Sequence, residues 1–181
     1  MKFLNDLGNR IGRMMLEKEL KTRKRKVVYN NFHSASSVGI LFNAENKEFY
    51  AAAKEFMNYI DERGIKINAL SFVSKSELIG YFPYRKGVEY FGMDKLSWTG
   101  KPNEEGVEEF IERPFDILID ISLTDSFPNE YVFALSKAKF KICNNSSIEK
   151  YADFVLQLKN KEDIDTYIEQ IKHYLESIDT H

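Results

Sequence analysis

Cysteine, long apolar runs and recognisable catalytic motifs are all scarce in this chain of 181 residues. The single cysteine, Cys143, excludes an intramolecular disulfide and a thiolate-rich metal cluster. It closes an apolar pattern typical of a strand, so we interpret it as a buried, inert thiol. No run of about 18 apolar residues is present to span a bilayer. The first residues also lack the apolar core and cleavage site of a secretory signal, so we expect a cytoplasmic protein.

The familiar nucleotide, metal and hydrolase motifs are missing too. In Gly92–Lys101 seven residues separate the first glycine from the Gly-Lys pair, and Pro102 stands where a P-loop has a hydroxyl residue. No G-x-G-x-x-G opens a helix after a predicted strand, and no G-x-S-x-G elbow occurs. The histidines His33, His173 and His181 have no ligand spacing. We therefore predict no cofactor and no metal, and assign no catalytic residue.

What is present is a regular alternation of strand and helix patterns. Apolar residues make up 43% of the chain and charged residues 30%, which is typical of a folded globular domain. Helical spacing of apolar residues predicts helices over 49–60, 104–113, 127–138 and from a cap at Asn160 onward. A capping box at residues 74–77 predicts a further short helix. Apolar runs predict strands at Val38–Phe42, Ile65–Val73, Val88–Phe91, Asp116–Ser122, Lys139–Cys143 and Asp153–Leu158.

The clearest unit is Phe115–Cys143, which has the pattern of a buried strand, a polar loop, an amphipathic helix and a second buried strand. Such units imply parallel strands joined by right-handed crossovers. The predicted fold is α/β, with a three-layer, doubly wound, mostly parallel sheet of five or six strands, Rossmann-like or flavodoxin-like. We predict one α/β domain over residues 37–181, preceded at 1–36 by a helix and a basic linker.

The N-terminal segment carries an amphipathic helix from Lys2 to about Lys21. Its glycines, Gly8 and Gly12, weaken a helix by roughly 1 kcal/mol each relative to alanine. Its apolar residues recur on one face that needs a cover: Phe3, Leu4, Leu7, Ile11, Met14 and Met15.

Charge is unevenly distributed along the chain. Residues 1–36 hold nine Lys/Arg against three acids, and the remainder holds 17 against 25. The favoured interpretation is that the N-terminal helix packs on its own domain or forms a homo-oligomer. An anionic membrane or nucleic acid is the alternative partner. The cations in question are Lys18, Lys21, Arg23, Lys24, Arg25 and Lys26.

Small polar side chains follow four of the predicted strands, at 43–46, 74–77, 120–125 and 144–147. The carboxyl ends of parallel strands share one edge, where ligands of open α/β sheets bind. Taken one at a time, each segment is explained as a helix cap, and only their joint placement on one edge supports a pocket. The candidate ligand-binding residues are Asn43, Asp120, Ser122 and Asn144.

Asp120–Thr124 after an apolar strand resembles the first motif of haloacid-dehalogenase-like phosphatases, in which a strand-end Asp attacks phosphorus. Two features depart from that family. Ser122 replaces its second Asp, and the motif falls late in the chain. We interpret Asp120 instead as an acceptor for loop amides or for a ligand hydroxyl.

Aromatic residues alternate with cations at 81–86, 90–91 and 95–102. This pattern suits stacking on a ring near an anionic group. The favoured explanation is structural: half-buried aromatics line a sheet edge beside solvated cations. Trp98 and Lys101 are the candidate binding residues here.

Three segments carry a resemblance to a family: Asp94–Pro102 (DKLSWTGKP), Phe115–Ser122 (FDILIDIS) and Ala134–Ile142 (ALSKAKFKI). With the N-terminal helix and basic run, they resemble an uncharacterised bacterial family of small single-domain α/β proteins over nearly the whole chain. The resemblance implies a free-standing domain and transfers no functional residue.

Three functions remain open at this point. The first is a noncatalytic domain that binds a small ligand or a protein partner. The second is an enzyme acting on a phosphorylated or nucleotide-like substrate at the strand ends. The third is association with RNA or a membrane surface through the basic N-terminal segment.

Overall fold

The computed structural model describes residues 2–44, 46–75, 79–80, 82–144, 147–157 and 163–178, with side chains from residue 7 onward. Helices and strands alternate after a long first helix. In chain order the elements are α1 Lys2–Leu20, β1 Ser37–Asn43, α2 Lys47–Asp61, β2 Lys66–Val73, β3 Val88–Gly92, α3 Glu105–Glu112, β4 Ile117–Asp120, α4 Phe127–Leu135, β5 Phe140–Cys143, β6 Phe154–Val155 and α5 Ile164–Ser177.

The strands form one six-stranded sheet in the order β3-β2-β1-β4-β5-β6, and every pairing is parallel. This order, 3-2-1-4-5-6, is the Rossmann order and differs from the flavodoxin order 2-1-3-4-5. In the central strand, Ile40 lies opposite Ala69 on one side and Ile119 on the other. The predicted doubly wound α/β fold is confirmed.

Two apolar clusters cover the two faces of the sheet. Successive strand residues point to opposite faces, so Ile117 and Ile119 belong to one cluster and Leu118 to the other. Helices α2 and α5 pack on the first face, and α1, α3 and α4 on the second. Strands buried on both faces need continuous apolar sequence, which is why runs such as Val38–Phe42 predict them well.

Some element bounds differ from the predicted ones. Strand β4 ends at Asp120, because the Asp120 Oδ1 accepts from the Ser122 amide at 2.8 Å and turns the chain. Strand β6 is only Phe154–Val155. Helix α5 begins after Asp163, whose carboxylate accepts from the Thr166 amide, so the predicted cap at Asn160 was wrong. Residue 160 and the second half of the predicted capping box, residues 76 and 77, lie outside the described residues.

Helix α1 packs through its glycine face, whereas three of the four described residues of its predicted apolar stripe are exposed. The side chains of Phe3 and Leu4 lie outside the described residues. A Cβ on Gly8 would lie 2.4 Å from the Trp98 carbonyl oxygen, and one on Gly12 would lie 2.3 Å from that of Thr99. Leu16 completes this face and is fully buried. Leu7 and Met14 of the predicted stripe are exposed, Met14 by 72%. None of the described helices is long and apolar enough to cross a membrane.

Residues 22–36, predicted as a linker, lie along the amino ends of the strands, and we call this segment the strap. Arg25 donates to both carboxylate oxygens of Asp153 at 2.7 Å. The Val28 amide donates to the Lys139 carbonyl and the Phe32 amide to the Leu175 carbonyl. The strap therefore ties β5, β6 and α5 together at one edge of the sheet.

Candidate functional site

The strand order reverses between β1 and β4. Strand β1 leads to α2 on one face of the sheet and β4 leads to α4 on the other, so their carboxyl ends part and leave a crevice. Asn43 ends β1 and Asp120 ends β4. Both predicted candidates therefore stand at the switch point.

A buried polar network joins these strand ends to α4. The side-chain Nδ2 of Asn129 donates to Asn43 Oδ1 at 2.8 Å and to Ser122 Oγ at 3.0 Å. The side-chain Nδ2 of Asn43 in turn donates to the Thr124 carbonyl at 3.1 Å and to the Thr124 hydroxyl at 3.2 Å. Since these side chains hold one another, they fix the loop between β4 and α4 in place.

Asp120 lies beneath this loop and is only 2% exposed. Burial, helped by the charge of Asp125, raises the pKa of its carboxyl to about 7, although the hydrogen bonds from Ser122 act in the opposite direction. Ser122 is 1% exposed. Both residues support the site from below and do not reach its surface.

Two adjoining cavities open above the network, with volumes of about 340 and 110 Å³. They share Phe72, Asp125 and Ser126, and we call them together the strand-end cleft. The smaller cavity is also lined by Asn43, Ala44, Ser74 and Thr124. The larger is also lined by Asn9, Met93, Leu96, Ser97, Trp98, Gly100, Phe127 and Pro128.

One wall of the cleft is built by close packing around Gly100. This glycine has a φ of +78°, and a Cβ on it would lie 2.6 Å from Asn9 Oδ1 and 2.9 Å from the Phe127 ring. The turn therefore sits directly against α1 and the start of α4. Trp98 projects from this turn and is 73% exposed.

The opposite wall begins at α4. The Ser126 hydroxyl caps this helix by accepting from the Asn129 backbone amide at 3.3 Å, and Pro128 occupies the first turn. Beside it, Asp125 is the single ionisable side chain in the described lining of the cleft, which contains no lysine or arginine. The cleft thus joins aromatic surface to hydroxyl, amide and carboxylate groups.

The six predicted candidates occupy different places. Asn43 and Trp98 line the cleft, and Asp120 and Ser122 lie beneath it. Lys101 points away, 3.8 Å from the Glu19 carboxylate and 5.1 Å from the Tyr131 ring centre. Asn144 follows β5 and is half-buried, and residues 145–146 beside it lie outside the described residues.

Sequence reasoning missed Phe72, Asn9 and Asn129. In the sequence Phe72 is one more apolar residue of a strand. Asn9 lies in a helix for which the sequence predicts packing through the apolar stripe, whereas the glycine face is the one that packs. A signal for the α1 contact was nevertheless present. Glycines four residues apart, Gly8 and Gly12, form a small-residue stripe that permits close approach of backbones.

The residues of the predicted aromatic and cationic surface do not form one patch: some pack in the domain and others are exposed. Phe82 packs against Tyr50 and Tyr90, with ring centres 4.9 and 5.5 Å apart. Tyr84 is exposed and Trp98 faces the cleft. Residue 81 lies outside the described residues.

The cations of the basic N-terminal segment fall into two groups, one paired with acids of the domain and one exposed. Arg23 and Arg25 are held by carboxylates of the domain. The remaining candidates are exposed: Lys18, Lys21, Lys24 and Lys26.

Metal-ligating residues do not cluster in the part of the chain that is described: no group of three or more His, Cys, Asp or Glu side chains is suited to a metal ion. His33 and His173 are exposed, and residue 181 is outside the described range. Cys143 is buried, in agreement with its predicted place at the end of a strand.

Comparison with known proteins gives a family without an activity. The model of a family of unknown function (DUF6913) matches residues 9–178. No curated protein and no solved structure matches the chain. The matched range contains every strand, the strap and the strand-end cleft, and the predicted resemblance to a family of unknown function over nearly the whole chain is confirmed.

Proposed function

The chain belongs to this family of unknown function (DUF6913), and from the geometry of its cleft we propose that it is a noncatalytic domain that binds a small uncharged molecule. The ligand carries an aromatic ring and hydrogen-bond donors. The observation that supports this most is the lining of the strand-end cleft, which combines aromatic faces with polar groups and one carboxylate.

The size of the cleft supports a small-molecule ligand. The larger cavity of about 340 Å³ is within the range of roughly 300–1,000 Å³ that is usual for ligand pockets. Its mouth is marked by Trp98, whose indole is 73% exposed. A ring stacked on this indole removes apolar surface from water on both partners.

The charge of the cleft supports an uncharged ligand. Asp125 accepts hydrogen bonds from hydroxyl or amino groups, while an anion beside it is repelled. In the described lining no lysine or arginine is available to neutralise a phosphate. A phosphorylated substrate is therefore less well supported at this edge of the sheet than an uncharged one.

The noncatalytic assignment rests on the arrangement of the ionisable groups. Asp120 has the raised pKa of a general acid or base, but it lies under the loop, with its Oδ1 bound to the Ser122 amide. A general base must reach the proton that it abstracts. Asp120 does not line the cleft, and its neighbours serve to hold the loop.

Trp98 allows a direct test because it is the only tryptophan of the chain and lines the cleft. We expect its fluorescence to change saturably on titration with at least one of the four ribonucleosides, which are uncharged ring compounds with several donors. The matched nucleoside monophosphates should bind at least about tenfold more weakly, because of the Asp125 charge.

A pair of carboxylate substitutions controls this test. Asp125→Asn should weaken binding by about tenfold, since a hydrogen bond to a charged acceptor is lost. It should lower the melting temperature by no more than about 4 °C, because the Asp125 charge also complements the dipole of α4. Asp165→Asn removes an exposed carboxylate on the remote helix α5 and should change nothing. No saturable response to any nucleoside, together with a native mass spectrum showing only the bare chain, would overturn the proposal.

A further inference from the structure

A separate cavity lies at the edge of the sheet opposite the strand-end cleft, beside the amino ends of β5 and β6. Its volume is about 350 Å³, and the strap, the end of α4 and residues 150–153 line it. We call it the basic pocket. One acid, Asp153, lines it together with six cations: Arg23, Lys24, Arg25, Lys137, Lys141 and Lys150.

Four of these cations already have carboxylate partners. Arg25 pairs with Asp153, and Lys150 lies 2.7 Å from Glu17. Arg23 and Lys137 both bind Glu112.

Lys24 and Lys141 differ, because no ion pair joins either of them to an acid of the described chain. The pocket therefore has an excess of positive charge, even though most of its surface cations are neutralised. The excess lies on one exposed and one buried amine.

Lys141 is the unusual member of this set. Its side chain is 2% exposed and its Nζ donates to the Phe133 carbonyl at 2.7 Å and to the Ala134 carbonyl at 3.0 Å. An ammonium group has three N–H donors, so one remains. Burial, followed by the charge of Arg25, lowers the pKa of this amine to about 7.

We propose that the basic pocket binds the phosphate or carboxylate group of a small soluble molecule, with Lys141 as its recessed donor and Lys24 as its exposed one. An anion supplies the missing countercharge and accepts the third N–H of Lys141. The depth of Lys141 favours a small anion over a nucleic-acid backbone, which reaches exposed cations but not a side chain that is almost fully covered.

Lys141 also has a purely structural role to be separated from this one. Its ammonium group caps the last carbonyls of α4, where the helix dipole favours a cation. Capping alone predicts a stability loss on substitution and no anion binding.

Calorimetric titration of the full chain at constant ionic strength tests the proposal, with inorganic pyrophosphate and citrate as the phosphate and carboxylate probes. We expect saturable binding of at least one probe. Lys141→Met should weaken it by about tenfold or more and Lys24→Met by about threefold. Lys66→Met removes an exposed cation outside the pocket and is the matched control, expected to bind as the parent does.

Three results would overturn the proposal. They are nonsaturable binding, equal affinity in Lys24→Met and the parent, and binding of polyuridylate RNA that exceeds pyrophosphate binding and survives Lys141→Met. Lys24 is exposed, so its variant is decisive even where Lys141→Met fails to fold. The strand-end cleft is not involved, and its nucleoside titration gives an independent result.

Discussion

The strand-end cleft and the basic pocket lie at opposite edges of one sheet and differ in charge. The cleft is lined by one carboxylate and no described cation, the pocket by six cations and one carboxylate. Helix α4 runs between them. Asp125 precedes its positive N-terminal end and Lys141 binds the carbonyls of its negative C-terminal end, so both side-chain charges complement the helix dipole.

Each cavity also lies near a buried ionisable group, and burial shifts the pKa values of the two groups in opposite directions. Burial disfavours the charged carboxylate of Asp120 beneath the cleft and the charged ammonium of Lys141 in the pocket. Both pKa values move to about 7 from opposite directions. A single parallel sheet thus carries two cavities of different lining, because its two edges are built from different parts of the chain.

The largest effect is expected at the pocket edge, from Arg25→Ala. This change leaves the Asp153 carboxylate, whose side chain is 9% exposed, without its bidentate partner. We expect the free energy of unfolding to fall by about 3 kcal/mol in urea denaturation.

The neighbouring change Lys26→Ala is the control for Arg25→Ala, since Lys26 is exposed, and should change stability by less than about 0.5 kcal/mol. The nucleoside response at Trp98 should survive in folded Arg25→Ala protein. Equal stabilities for the two variants would show that the strap does not hold the pocket edge.

The next largest effects are two pH dependences of folding stability that have opposite signs. The folded-state pKa of Asp120 is raised from 3.8 to about 7, so its stability contribution is present below pH 4 and is lost as the pH rises through 7. Asp120→Asn removes this loss. Above pH 7 the variant should be more stable than the parent by about 2 kcal/mol, and at pH 4 the two should be alike in urea denaturation.

Lys141→Met provides the matched comparison at the other edge. The pKa of Lys141 is lowered from 10.5 to about 7 in the folded protein, so the folded state loses its proton first and the parent gains stability as the pH rises from 7 toward 10. The methionine variant lacks this rise. The difference in stability between variant and parent should rise with pH for Asp120→Asn and fall with pH for Lys141→Met, and a change in the same direction for both would contradict the opposite burial effects.

The smallest effect concerns the wall between the cleft and α1. An alanine in the interior of an isolated helix is about 1 kcal/mol better than glycine, yet at Gly12 its Cβ meets the Thr99 carbonyl and the Phe127 ring. We expect Gly12→Ala to lower the free energy of unfolding by about 1 kcal/mol net and to shift Trp98 fluorescence. Gly80→Ala adds a Cβ into open space and is the control. Stabilisation by Gly12→Ala would show that α1 does not seal the cleft.

The parallel sheet was predictable because its signals are local. The Phe115–Cys143 unit contains two apolar runs separated by an amphipathic helix, and a strand that is buried on both faces needs such a run. The cap at Ser126 was predictable for the same reason, since a capping side chain bonds an amide three residues away.

The candidate site was only partly predictable. Asn43 and Trp98 were identified in separate regions, and the fold brings them to one cleft through Phe72 and Asp125. Lys141 gave no signal, because a lysine inside a strand is expected to be solvated. Its burial depends on carbonyls of α4 that come close only when the helix packs on the sheet.

The sequence by itself therefore determined the order of the elements, the parallel sheet and the edge at which the polar strand ends meet. Tertiary structure alone decided which face of α1 packs, which polar residues reach a surface and where the excess positive charge collects. The physical reason is the range of the interactions. Periodicity and capping act within a few residues, whereas the approach of Gly12 to Thr99 and the burial of Lys141 depend on contacts between distant segments.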